Sequence, residues 1–188
     1  MHCAGPRRLI VVVLLSSGVV AAQSPSGAAS FANRGVGLGL GAVSVFGQDP
    51  SVPDAVFPLW LEYASYVDGG FEVFGRVPIA LASVRVGADT PDGRGLVLTS
   101  GLQLGVRYLL LEEGVRPFAF LHVGGLIVAR QAALGDNLLV GPGAGAGLEV
   151  FVVSSLSLQA RVFADWYVTL NAPQRFSVGG TVTVSTYF

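Results

Sequence analysis

The sequence predicts an all-β chain: an eight-stranded antiparallel up-and-down transmembrane β-barrel with short periplasmic turns. Composition, strict two-residue alternation and connections that alternate in length predict it. Hydrophobic residues make up 52% of the chain and charged residues 12%, about half the ~25% of a soluble domain. Charges that sparse cannot cover a water-facing surface, which disfavours an ordinary soluble enzyme. No apolar run in the body of the chain reaches the ~20 residues of a membrane-spanning helix. The apolar surface is therefore assigned to a sheet that faces lipid. Gly accounts for 26 of 188 residues, about twice the ~7% norm, which fits a crowded β interior.

The N-terminus reads as an export signal. Arg7 and Arg8 precede an apolar stretch from Leu9 to Val20, and Val20-Ala21-Ala22 fits a small-residue cleavage site before Gln23. The expected division is a signal peptide at 1–22, a small, polar, flexible lead-in at 23–34 and a barrel at 35–188. All 11 basic residues are Arg; after cleavage 9 face 12 acidic residues, a net charge of −3. The only Cys, Cys3, leaves with the signal, so neither a disulfide framework nor thiol chemistry is expected. The charge is too small and too scattered to imply nucleic acid.

Eight alternating stretches follow, at about 35–47, 56–67, 71–84, 95–111, 117–130, 138–153, 156–170 and 175–188. Each strand with its connection takes about 20 residues, which accommodates the ~9–11 needed to cross a bilayer. A strand sends successive side chains to opposite faces. In 96–110 the even positions include Leu98, Leu102, Leu104, Val106 and Leu110, and the odd ones Thr99, Gln103 and Arg107. In 156–170 Leu156, Leu158, Val162 and Trp166 oppose Ser157, Gln159, Arg161 and Asp165. In the last stretch Phe176, Val178, Val182 and Val184 oppose Ser177, Thr181, Thr183 and Ser185.

The second face decides the reading. A soluble exterior would be dense in Lys and Glu, but this one is Gly, Ser, Thr and Gln with one or two charges per strand. That composition suits the inside of a small barrel, with the apolar face in lipid. Gly35, Gly37, Gly39, Gly41, Gly141, Gly143, Gly145 and Gly147 all share the inner parity, leaving space for Phe163 and Tyr167. Tight turns at 67–70, 112–114 and 154–155 alternate with longer links at 48–55, 85–94, 131–137 and 171–174. With both termini on the short-turn side, the longer links face outside.

The inner face carries the candidate site. Placing Val67 opposite Phe71 sets Glu62 opposite Arg76. A three-residue turn at 154–156 sets Val153 opposite Ser157 and Glu149 opposite Arg161. Direct opposition brings side chains into contact. Both pairs are expected inside, joined by Asp165, Gln159, Gln103 and Arg107. The network reads either as a polar gate in a narrow pore or as a plug that fixes strand register. The plug is favoured, since eight strands leave an interior just wide enough for side chains. His122 is the only mature His, and its strand is apolar at both parities, so its facing is left open. A lone His without a partnered Ser or a second His gives no catalytic motif. No cofactor or metal is expected. Trp60, Tyr63, Tyr66, Phe71, Tyr108, Phe118, Trp166 and Phe188 fall near strand ends or on lipid faces as candidates for aromatic girdles. Trp60 shares parity with Glu62, which leaves an inward orientation open.

As a whole the chain resembles the small eight-stranded outer-membrane barrels of the OmpA/OmpX type, over 35–188. The most specific part is the C-terminus. Gly179, Val182 and Val184, closing on Phe188, resemble the signal read by the barrel-assembly machinery, although Tyr187 adjoins Phe188 where the familiar pattern puts the aromatic two places before the end. Arg116-Pro117-Phe118 resembles the start of a central strand in this family. The resemblance implies an outer-membrane protein of a Gram-negative-type envelope, without the peptidoglycan-binding domain of OmpA proper. The expected function is non-enzymatic: structural or surface-interacting, with a filled lumen. The alternatives are a small pore or hydrophobic-solute channel and, third, a lipid-A-modifying enzyme. The expected partners are outer-membrane lipid, lipopolysaccharide and, during biogenesis, the barrel-assembly machinery, with the chain a monomer. Asp49, Asp54, Asp89, Asp92 and Asp136 outnumber Arg94 and Arg130 in the long links. Divalent cations bridging them to lipopolysaccharide phosphates are one reading, and plain solvation is the other.

Overall fold

The computed structural model describes residues 34–46, 55–85, 94–111, 114–130, 137–168 and 174–188. The expected signal peptide, the lead-in up to residue 33 and the centres of the longer links, with their acidic residues, lie outside the described residues. The strands are β1 (Arg34–Phe46), β2 (Ala55–Val56), β3 (Leu59–Asp68), β4 (Phe71–Arg85), β5 (Arg94–Leu109), β6 (Val115–Arg130), β7 (Asn137–Val153), β8 (Leu156–Tyr167) and β9 (Arg175–Tyr187). β2 continues into β3 across Phe57-Pro58, so the two form one stave. The eight staves pair in chain order, and β1 pairs β9 antiparallel from Gly35↔Tyr187 to Phe46↔Phe176. The sheet is a closed antiparallel barrel. β1 starts one residue earlier than expected, β6 two residues earlier, and β8 ends at Tyr167 with an isolated bridge Val140↔Val168 beyond it.

Side-chain polarity is inverted relative to a soluble domain. Leu40 is 69% exposed and Leu121 62%, whereas Glu149 is 0% and Arg107 1% exposed. The outward row on β5 runs from Leu98 through Leu102, Leu104, Val106 and Tyr108 and continues to Leu110 just beyond the strand. At ~3.4 Å per residue and a tilt of ~40°, that row covers ~30 Å, enough to face the hydrocarbon of a bilayer. Tyr63, Phe71, Tyr108, Trp166 and Phe188 are on the outside, and the Phe71 and Tyr108 rings meet at a tilt, 4.8 Å between centroids. Trp60 and Phe118, by contrast, are buried in the lumen. For Phe118 this corrects the girdle expectation: it shares even parity with Arg116 and Phe120, which also point inward.

Two hairpins close with two-residue turns and a bulge. At Asp68-Gly69-Gly70-Phe71 both glycines have positive φ, 59° and 82°, which is the type I′ geometry that matches strand twist. Asp68 pairs Phe71, and a register shift after Tyr66 makes Val67 the bulged residue. Val67 therefore does not face Phe71, yet Glu62 still faces Arg76. At the second hairpin Val153 pairs Leu156, the shift falls between Phe151 and Val153, and Glu149 faces Gln159 while Arg161 faces Gly147. The expected opposition Val153–Ser157 is thus one residue out of register, and Glu149–Arg161, beyond the bulge, is two. The reason is that the extra residue sits on β7, at Val152, and not in the turn. A shift of two preserves parity, so Glu149 and Arg161 both stay inside.

The glycine row on β7 lies under the ring row on β6. Phe118 faces Gly147, Phe120 faces Gly145 and His122 faces Gly143. A Cβ added at Gly145 would lie 2.3 Å from the Val162 carbonyl oxygen and 2.4 Å from Phe120 Cζ. The carbonyl belongs to the ladder and cannot withdraw. Gly145→Ala should therefore lower the urea-unfolding free energy by about 1–3 kcal/mol through overpacking. Ala146→Val, on the outward face, should leave it unchanged. Urea titration of the detergent-folded chain, read by heat-modifiable gel mobility, checks both.

Candidate functional site

Parity collects the polar side chains of β3 to β9 in one enclosed column. All eight residues of the expected network, Glu62, Arg76, Gln103, Arg107, Glu149, Gln159, Arg161 and Asp165, are buried there. Their partners differ from simple cross-strand neighbours. Glu62 on β3 takes a bidentate fork from Arg161 on β8, with Nη1–Oε2 at 2.5 Å and Nη2–Oε1 at 2.9 Å. Arg107 Nη1 lies 3.8 Å from the same carboxylate. Arg107 also pairs with Glu72, its Nε donating at 2.5 Å. Arg76, although opposite Glu62 on the backbone, donates from Nε to Gln103 Oε1 at 2.5 Å.

Gln159 joins these parts. Its Oε1 accepts from Arg107 Nη1 at 2.9 Å and from Arg161 Nη2 at 2.5 Å. Its Nε2 donates to Glu149 Oε1 at 2.9 Å. The amide is the one side chain type that accepts from cations at one end and donates to a carboxylate at the other. Glu149 Oε1 also accepts from Ser157 Oγ at 2.6 Å and Tyr187 OH at 2.5 Å, and Arg116 Nη1 lies 4.0 Å from Oε2. Removing charges from water is costly unless they are paired and further hydrogen-bonded; Glu62, Arg107 and Arg161 are both, whereas Arg76 has an amide and aromatic rings in place of a carboxylate. β1 adds only glycines to it. A Cβ at Gly37 would lie 2.5 Å from Ser185 Oγ, so the bare backbone is what admits the column.

The column is layered along the barrel axis. Next to the turns lie Glu72, Arg107, Arg116, Glu149, Ser157, Gln159 and Tyr187. Above them the Arg76 guanidinium sits 4.7 Å from the Trp60 ring, 5.0 Å from Phe163 and 5.3 Å from Phe120. Such cation–π contacts hold a cation where water is excluded. Beyond Arg76 a second chain runs from Gln103 Nε2 to Tyr167 OH at 3.1 Å and from Tyr167 OH to Asp165 Oδ2 at 3.2 Å. His122 Nε2 lies 2.8 Å from Asp165 Oδ1, and Ser177 Oγ donates to Oδ2 at 3.3 Å. His122 and Ser177 thus meet the same carboxylate and not each other. His122 Nδ1 has no hydrogen-bond partner among the described residues, so no hydroxyl is positioned there for activation.

Glu72, Arg116, Arg175 and Tyr187 are inward polar residues outside the expected network, as are Tyr167, expected on the inner face, and His122, whose facing the alternation leaves open. The signal was present, since Glu72 has the parity of Arg76, and Arg116 and His122 that of Phe118. Of the expected assembly residues, Gly179 is half-buried on the inner face. Val182, Val184 and Phe188 point outward. Phe188 N donates to Arg34 O at 2.9 Å, fastening the last residue to the first strand.

No family profile and no curated protein matches the sequence. Solved structures do. The fold is similar to that of Neisserial surface protein A (NspA), at 10% identity over 82% of this chain and 97% of that one, with a TM-score of 0.65. It is similar to Ail, the attachment invasion locus protein of Yersinia pestis, in complex with the heparin analogue sucrose octasulfate, at 12% identity over 84% and 99%, with a TM-score of 0.59. The outer membrane protein OprG from Pseudomonas aeruginosa matches at 11% identity over 84% and 97%, with a TM-score of 0.55. At these identities the likeness is one of architecture: the chain has the closed eight-stave antiparallel barrel of small outer-membrane proteins.

Proposed function

We propose that this chain is a non-enzymatic integral protein of a Gram-negative-type outer membrane, structural or surface-interacting, whose lumen is closed by its own side chains. The observation that carries this reading is the fork from Arg161 to Glu62, which joins staves three apart across the lumen. Arg107 and Gln159 make a second such crossing. Ions would have to break charge-assisted hydrogen bonds, the strong class, to pass. The membrane address is supported by the continuous apolar skin and by the export signal read in the sequence. The outward Val182, Val184 and Phe188 remain the proposed handle for the assembly machinery. Lipid and lipopolysaccharide are the proposed partners of a monomer. Surface interaction is supported by Ail, whose structure holds a heparin analogue. The non-enzymatic reading is supported by the placement of Ser177 on Asp165 and away from the imidazole.

In planar bilayers the wild-type chain should show no steady conductance, and Glu62→Ala with Arg161→Ala should introduce openings. Steady wild-type conductance abolished by Arg161→Ala would refute the plug. Arg161→Met should cost about 3–5 kcal/mol of unfolding free energy by leaving Glu62 short of a partner. Adding Glu62→Met should cost less than the two single losses combined, because the residues are in contact. Finally, the mature chain should aggregate when detergent is withdrawn. A folded, dissolved chain in plain buffer would invalidate the membrane address.

A further inference from the structure

At the end of the barrel away from the tight turns, the inward side chains do not fill the lumen. They leave a cavity of about 70 Å³. Val43, Val56, Pro58, Ala80, Leu139 and Phe163 supply its apolar wall. Gln103, Asp165 and Tyr167 also line it, but they are committed to one another, to Arg76 and to His122. Arg76 in its ring of aromatics closes the way to the charged half, so the cavity is blind.

Packed interiors hold few voids larger than a water molecule, and an empty void forfeits dispersion contacts along its lining. Apolar cavities of this kind stay dry and take small apolar guests. Trp60 lines the cavity, is buried, and its Nε1–H has no hydrogen-bond partner among the described residues. Buried donors are ordinarily satisfied; left alone, this one carries its full desolvation cost.

We propose that this cavity is a binding site for a small uncharged molecule, apolar over most of its surface and carrying one acceptor atom for the Trp60 N–H. The lining carries one carboxylate, Asp165, and one guanidinium, Arg175, so a guest of either sign meets a like charge as well as an opposite one and the site gives neither a net advantage. Measured against the ~150 Å³ cavity that holds the six non-hydrogen atoms of benzene, a cavity of about 70 Å³ takes a guest of about three or four. The site depends neither on the membrane address nor on the plug, and goes beyond both.

The chain has two tryptophans, Trp60 inside and Trp166 on the outer face, 54% exposed. In the full detergent-folded chain, Trp166→Phe leaves Trp60 as the sole emitter, and Trp60→Phe leaves Trp166. Chloroform, which quenches indole on contact, is the probe. Trp60 emission should fall along a saturating curve, while Trp166 emission should fall linearly as chloroform enters the micelle. At equal micellar mole fraction, acetone should displace chloroform at several-fold lower dose than isobutane. Filling the cavity by Ala80→Phe should abolish the saturating phase; gel mobility reports whether that variant folds, and Thr99→Leu is the alternative filling. Linear quenching of Trp60 that parallels Trp166 would overturn the site, as would a saturating phase that persists in a folded filling variant. A ketone no better than the alkane would overturn the acceptor assignment.

Discussion

Closure of β1 onto β9 is the constraint from which the rest of the molecule follows. In hydrocarbon an unpaired backbone group has no water to turn to, so an open sheet edge is forbidden. The chain meets that demand with twelve paired positions along the seam. Closing only eight staves fixes a narrow lumen, and every inward side chain must then share it. Glycine is the price of admission for the large residues. The β7 glycines lie under Phe118, Phe120 and His122, and the β1 glycines lie beside Thr181, Thr183 and Ser185.

A closed lumen also decides how charge is handled. The outward face of the strands is mostly apolar, and the charges gathered on the inside are out of water and must find partners there. The forks and relays around Glu62, Gln159 and Glu149 satisfy them across staves that are not neighbours. This is why the network stiffens the tube: a bond between adjacent strands repeats what the ladder already fixes, whereas one from β3 to β8 holds the cross-section. The network therefore acts as a brace, and the seal proposed for it would use the same atoms.

The sequence made the faces legible and left the partners illegible. Two-residue alternation sorts lipid from lumen wherever one face is apolar and the other polar, as on β5, β8 and β9. It fails on β6, because there the lumen itself is apolar: Phe118 and Phe120 face inward as Leu121 and Val123 face outward, and His122 could not be assigned between them. Register was harder. Both long hairpins hide a bulge next to a two-residue turn. At β3–β4 a three-residue turn at 68–70 counts the same as the true turn plus bulged Val67, so Glu62 opposite Arg76 came out right. At β7–β8 the extra residue was placed after the turn and not before it, although Val152 and Val153 are both exposed and nothing in their alternation marks the bulge. Contacts between non-adjacent staves depend on closure and rotamer together, and linear spacing carries neither.

The polarity of the lumen changes along its length for reasons that are equally local. Toward the turns the inward positions hold long side chains, Arg107, Arg116, Glu149, Gln159 and Arg161, whose reach spans the tube. At the far end the inward positions on the β2–β3 and β4 staves are Val56, Pro58, Pro78 and Ala80, too short to meet across the same width. The prolines have a second effect. Gly41 N donates to Pro58 O at 3.0 Å, but Pro58 has no N–H to return, and the β4–β5 ladder omits pairs between Arg76↔Gln103 and Ile79↔Ser100, where Pro78 sits. Proline is ordinarily kept out of central strands because each one deletes a ladder bond. Pro58 and Pro78 place two such deletions beside the sparsely filled end, while Pro117 places another beside Arg116 near the turns. The stiff, charged half holds the barrel's shape, and the sparsely packed half is the part free to adjust around a guest.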